Sequence, residues 1–389
     1  MLLVYRNSSY TRPPSSPPSS SDSHSMAPFF SRLSQRLPKF SSLSPQHSST
    51  QSPSRNSTTM PEFRGLPVIP SETYTTYSPR RIAKHFIAIE QDEGVGMRVR
   101  RAIGNSRLPN LTPFVMLDHF DSNFGGAEDA AAPDHPHRGQ ETITYILQGG
   151  VDHEDFTGSR GTLDAGDLQF MTAGRGIMHS EVPREDQQGK RNIGLQLWVD
   201  LPEALKYCEP RYRDLKAEAI PRVLVDNGRV SVKVISGQAF GTQSVPELAY
   251  TPMWYLHFTV QKSGRFQLPL PASWNAFCYV LEGEVVVTNG GALERRFGAF
   301  NTVVFEQDGD SVEIGVPADA KQDANFILVA GLPLDQPIVQ YGPFVATSRE
   351  EAMQAVVDFR TRSNGFERAA GWVSENSTRS RRSSVASAV

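Results

Sequence analysis

Along the middle of the chain, apolar residues recur in short runs that alternate with polar ones at a period of two. HFIAIEQ, MRVRRAI, PFVMLDHF, TITYILQGGVDHEDF, LQFMTAG, NIGLQLWVDL and RVSVKVISG follow one another, punctuated by Gly, Asp, Asn and Pro. Successive side chains of a strand point to opposite faces, so this pattern predicts half-buried strands joined by turns. Helical spacing is scarce. It is clearest in SREEAMQAVVDFRTR, residues 348–362. There Ser348 is placed to cap a helix, Glu351 to complete a capping box, and Ala352, Val356 and Phe359 to form an apolar stripe that packs on a barrel. LPEALKYCEPRYRDL, residues 201–215, reads as a linker with one helical turn.

The strand pattern occurs twice. NAFCYVLEGEVVV has the layout of ETITYILQGGVDH, and GAFNTVVFEQDG that of GTLDAGDLQFMTAG. Two similar β units in one chain predict a duplicated barrel. The expected organisation is all-β: a first barrel over 63–205, an inter-barrel segment over 206–251, and a second barrel with a terminal helix over 252–362. Ser-rich tails over 1–62 and 363–389 are expected to be disordered.

Composition changes sharply near residue 62. Residues 1–60 are crowded with Ser and Pro and hold one acid, Asp22, against six basic residues. Such a segment buries too little apolar surface to offset its ordering entropy, which predicts a disordered tail. Arg-rich, Ser-rich and acid-poor is also the signature of a mitochondrial transit peptide, with MAPFFSRLSQRLPKF (26–40) as its basic amphipathic helix. The prolines at 13, 14, 17 and 18 favour the first reading, and with it a cytoplasmic or nuclear location. The whole chain carries −3; the N-terminal tail holds about +5 and the last 17 residues about +2, leaving roughly −10 on the folded part. An acidic body argues against direct binding of nucleic acid. No apolar run approaches the roughly 20 residues that span a membrane. The two cysteines, Cys208 and Cys278, stand outside any CxxC or Cys/His cluster and read as buried thiols in a reducing compartment. A monomer is expected.

Candidate chemistry is concentrated in the first barrel. Five of the nine histidines lie between 119 and 179. In DHPHRGQETITYILQGG, His135 and His137 are two apart, so in an extended segment they face one side together. GIMHSEVP repeats the device with His179 and Glu181. Two such pairs on two strands of one barrel can converge on one ion. Glu141 competes for the fourth position, because it shares parity with His135 and His137 if their strand is continuous. The second unit has Ser273 and Asn275 where the first has its histidine pair, so any metal belongs to the first. His257 stands alone and reads as a partnered residue rather than a ligand.

DHPHRGQETITYILQGG, VDHEDFTGSRGTLDAGDLQFMTAGRGIMHSEVP, NIGLQLWVDLP and YGPFV, in this order and spacing, resemble a pirin. The similarity runs from about residue 82 to about 361. The chain lacks the Pro and Asn usual in the second motif of general cupins and carries Gly-Arg-Gly before His179, departures that characterise pirins. The resemblance implies two tandem cupin barrels, the second metal-free. It implies one non-haem Fe(II), with other divalent transition metals as alternatives, held by His135, His137, His179 and Glu181. It gives Glu141 a supporting or core role and leaves His153 and Glu154 structural. His119 departs from the acidic residue expected there. Four ligands of six leave two open positions, the logic of non-haem iron oxygenases rather than of a closed structural zinc site. A flavonol such as quercetin is a natural chelate for them. The implied activity is that of a quercetin 2,3-dioxygenase: the metal acidifies the 3-hydroxyl, Glu181 takes its proton, and the heterocycle opens with O2 and loss of carbon monoxide. The resemblance equally implies a second role, an iron-dependent transcriptional co-regulator that binds transcription factors.

Overall fold

The computed structural model describes residues 77–376 apart from 94, 122–125, 185–190 and 292. The N-terminal tail with its candidate helix at 26–40, and residues 377–389 of the second tail, lie outside the described residues. The architecture is two tandem antiparallel β-barrels. An eleven-stranded sheet runs through the first, while seven- and four-stranded sheets form the second. Arg349–Thr361 is an α-helix, and among the described residues no helix is long and apolar enough to cross a membrane.

Alternation sorts each strand into two faces. In Gln140–Gln148, Ile143 and Tyr145 join a buried cluster that also takes in Tyr255, Phe277 and Tyr279 from the second barrel. The intervening Thr144 faces the other way, into the first barrel, where it meets Glu181. In Ile193–Asp200, Leu195 and Leu197 join the same inter-barrel cluster, while Gln196 and Trp198 point inward. The two barrels therefore share one apolar layer, and the interior of the first combines polar groups with small apolar clusters such as Met171, Ala173 and Ile177. The second is filled differently. Phe258 stacks on Phe266 (centroids 4.4 Å apart) and on Phe326 (5.1 Å), inside a continuous apolar core.

The structure draws the boundaries differently from the sequence expectation. Strand Ile82–Ile87, assigned to the first barrel, pairs with Asn301–Phe305 in the sheet of the second. The segment 206–251 is divided between the two. Arg211–Leu215 pairs with Leu168–Thr172 of the first barrel, whereas Val230–Ser236 pairs with Met253–Val260 of the second. The expected turn in the linker is the 3-10 turn Glu203–Leu205. Residues beyond 362 also continue the fold: Asn364 accepts from Arg138, and Ser374 is buried with its N–H on Asp134. The physical reason is common to these cases. A barrel closes through hydrogen bonds to whichever edge is free, and strands far apart in sequence supply it.

Helix Arg349–Thr361 begins as its sequence predicts. Ser348 Oγ accepts from Glu351 N–H, and the Glu351 carboxylate reaches back to Thr347 N–H and Oγ1. Its buried face carries Ala352, Ala355, Val356 and Asp358. The last of these faces Arg138 of the first barrel.

Candidate metal centre

His135 and His137 end the strand Gly126–His137, and His179 and Glu181 lie on its antiparallel neighbour Ile177–Pro183. The register sets His179 directly across from His135. The two i,i+2 pairs thereby meet across a ladder on the inner face. A ligand nitrogen from each of His135, His137 and His179 lies within 4.8 Å of the others. Their ring centroids are 4.4 to 5.0 Å apart.

The imidazole orientations are held from behind. His135 Nδ1 lies 2.7 Å from the carbonyl of Pro133. A carbonyl only accepts, so Nδ1 carries the proton and Nε2 presents a lone pair. That Nε2 faces His179 Nε2 at 3.0 Å. His137 is fully buried; its Nδ1 is 2.9 Å from the Gln140 amide, and its Nε2 has no hydrogen-bond partner. Burial pushes the His137 and His179 imidazolium groups well below the ordinary histidine range, so both rings stay neutral, the form that ligates. Three imidazoles converging on one point, with His137 Nε2 and His179 Nδ1 buried and unsatisfied, fit a transition-metal ion.

The two candidate carboxylates separate clearly. Glu181 lies on the inner face, but its carboxylate is not part of the three-histidine cluster. Its Oε1 accepts from Thr144 Oγ1 at 2.8 Å and its Oε2 from Gln196 Nε2 at 2.7 Å. Glu141 points out of the first barrel. It accepts from Thr172 Oγ1 at 2.8 Å and from the N–H groups of Tyr250 and Thr251 at 3.0 to 3.1 Å. The parity argument required a continuous strand, and the strand breaks at Gly139, where φ is +78° and an added Cβ would stand 2.0 Å from Val345 O. The positive φ and the close approach both need glycine there, and the break resets which residues face inward.

Among the described residues, the other histidines have partners. His257 bonds Tyr145 Oη at 2.7 Å and Asn325. His119 bonds Tyr279 Oη at 3.1 Å, so both rings sit where the barrels meet. His153 lies inside the first barrel, opposite Glu181 in register, bonded to Gln169 and stacked on Tyr212. Of the cysteines, Cys278 is buried and Cys208 partly so; burial pushes the Cys208 thiol up to about 11.

Several residues around the site escape a sequence reading. Trp198 presents its ring edge-on to His137 at 5.0 Å and donates from Nε1 to Gln196 Oε1 at 2.9 Å. The strand NIGLQLWVDL carried the signal: Gln196 and Trp198 are an i,i+2 pair within an apolar run.

Comparison with known proteins agrees with this architecture. Residues 96–199 match the family model described as Pirin, and residues 255–365 match that of the Pirin C-terminal cupin domain. Pirin of Homo sapiens is 43% identical over 299 residues, covering 77% of this chain and 98% of the human protein. Pirin-like protein 2 of Arabidopsis thaliana is 42% identical over 314 residues, covering 80% of this chain and 94% of that protein. Among solved structures, a quercetin 2,3-dioxygenase from Acinetobacter baumannii superposes with a TM-score of 0.66 at 29% identity, covering 73% of this chain and 98% of that one. GK1651 from Geobacillus kaustophilus superposes at 0.57 with 29% identity, covering 66% of this chain and 98% of that one.

Proposed function

This chain belongs to the pirin family, and from that premise we propose that it is a non-haem iron oxygenase of the quercetin 2,3-dioxygenase type, opening a flavonol ring with O2. The observation that carries the reading is the convergence of His135, His137 and His179 on one point inside the first barrel, with Glu181 on the same face. The three imidazoles would hold the ion, with Glu181 as fourth ligand. A bound iron supplies Lewis acidity and a site for an electron-rich oxygen donor. The protein's own part is to orient and to move a proton. Glu181 is held by two hydrogen bonds, and it is the carboxylate of this face placed to take the acidic hydroxyl proton of the substrate. Trp198 walls the His137 side with an aromatic edge. The similarity to a dioxygenase named for quercetin supports a small aromatic substrate of that class.

Two measurements on purified full-length protein test this together. Metal analysis should give about one iron per chain, abolished in the His135→Ala/His179→Ala double variant. Quercetin should then drive oxygen uptake and carbon monoxide release. Iron retained by the double variant would remove the site assignment, and an iron-loaded protein inert to flavonols would remove the activity.

A second reading, iron-dependent co-regulation through a transcription-factor partner, is favoured by one feature. Arg138 follows His137 directly and pairs with Asp358 of the helix, whose outer face exposes Met353 and Val357. Partner capture that depends on the oxidation state of the iron is its test.

A further inference from the structure

The polar atoms of Trp198, Gln196 and Glu181 form a chain whose direction is fixed. An indole N–H can only donate. Trp198 Nε1 therefore obliges Gln196 to present its carbonyl, Oε1, at 2.9 Å. That choice turns the amide's NH2 toward Glu181 Oε2 at 2.7 Å. Without the indole, the amide could rotate by half a turn and place an acceptor against the carboxylate. Thr144, directly across from Gln196 in register, donates to the other carboxylate oxygen at 2.8 Å. All three residues stand on the inner face of adjacent strands, across the barrel interior from the strand that carries Glu181. Trp198 also meets His137 edge-on, with the two planes at 88°. One indole thus braces two candidate ligands that come from different strands.

We propose that Gln196 and Trp198 are positioning residues of the metal centre: the indole sets the polarity of the Gln196 amide, and the amide sets the place and orientation of the Glu181 carboxylate. The proposal rests on the reading of Glu181 as a group of that centre. It does not rest on flavonol chemistry. Outer hydrogen bonds to a ligating carboxylate hold it in place, and their loss typically costs 10- to 100-fold in metal affinity or activity. Gln196 and Thr144 are the donors to Glu181, and Trp198 is the group that keeps Gln196 a donor.

The test uses the full-length protein and Co(II) as probe, with affinity from chelator competition and coordination from the visible spectrum. Gln196→Met keeps the approximate shape and removes the donor; Co(II) affinity should fall about 10- to 100-fold with a changed spectrum. Trp198→Phe keeps an aromatic edge at His137 and removes the N–H; affinity should fall in the same direction by a smaller factor. The decisive comparison is made in a Glu181→Gln background, where no carboxylate remains to be positioned. There Gln196→Met should change Co(II) affinity by less than about threefold, since an interaction between neighbours appears as non-additivity. A full-sized effect in that background, or none in the native one, would overturn the proposal. Should Gln196→Met fail to fold, Trp198→Phe decides: an unaltered affinity and spectrum there sinks the proposal. Because the readout is Co(II) binding, a protein that binds Co(II) as expected but ignores quercetin would refute the dioxygenase reading and leave this inference standing.

Discussion

Glu141 and Glu181 are the same side chain in two environments, and their neighbours decide what each can do. Glu141 is sealed against the inter-barrel segment and accepts from two backbone N–H groups and a threonine hydroxyl. Neutralising it in Glu141→Gln turns an NH2 group toward buried donors, at a cost of roughly 1–3 kcal/mol. The expected result is a lower denaturation midpoint with iron content and turnover retained. Glu181→Gln also meets buried donors, so some stability loss is expected there too, but it should remove flavonol turnover. Rates and unfolding curves for the pair check this; an inactive Glu141→Gln beside an active Glu181→Gln would exchange the roles. The histidines of the site were legible because a period of two is rigid: residues two apart on a strand must share a face. The same count would put Glu141 on that face only if the strand were continuous, and one left-handed glycine at 139 interrupts it, leaving Glu141 the core role that the family resemblance implies. Trp198 and Gln196 went unread because their importance depends on what lies across the barrel, which local pattern does not carry.

At the scale of elements, the metal centre depends on a segment remote in sequence. Arg138 donates to the Arg175 carbonyl, to Asp358 of the helix and to the Asn364 carbonyl, and its guanidinium lies 4.7 Å from the centre of the Phe366 ring. Val345 N–H bonds to the Arg138 carbonyl at 3.0 Å, and Lys206 Nζ ties Gly139 O and Val345 O to Asp200. The turn that follows the histidine pair is therefore clamped by the hairpin Val339–Ala346 and the helix behind it. Removing one partner of a buried ion pair leaves the other charge unsatisfied, which costs about 3–5 kcal/mol. Asp358→Ala should lower the thermal midpoint strongly and also lower iron retention, because the turn it anchors bears His137. Iron content and thermal unfolding measured on one preparation test both halves. Iron held at the native level in a folded Asp358→Ala protein would show that the helix braces the barrel without bracing the site. The helix itself was readable from its cap and stripe, and so was the existence of two barrels. Which strand closes which barrel was not, since an edge accepts any strand of suitable pattern.

The two barrels behave as one unit because they exchange parts. A fragment of residues 62–245 would keep the histidines but lose Met253–Val260 and Asn275–Glu282, exposing the apolar layer formed by Ile143, Tyr145, Leu195 and Leu197. Large exposed apolar faces drive association, so this fragment should aggregate and lose iron; a soluble, iron-loaded fragment would contradict the shared layer. The same interface should make the protein acid-labile. His119 and His257 lie within it, both buried and both pushed down to about 4, first by burial and then by neighbouring cations: Arg100 and Arg191 for His119, Lys233 and Arg222 for His257. Asp121 partly opposes the shift at His119, as the Asn325 hydrogen bond does at His257. In the unfolded chain these rings titrate near 6.5. Above that value both states are neutral and the rings add nothing to the pH dependence. Between 6.5 and 4 the unfolded chain binds protons that the folded one refuses, so stability falls as pH falls, by up to about 3 kcal/mol per ring across the window. Other buried histidines slope the same way, so the interface contribution is read by difference. Denaturant midpoints from pH 7 to 4.5 should fall more steeply in the native protein than in a His119→Gln/His257→Gln variant. Parallel curves would mean that the barrel interface does not set the acid limit.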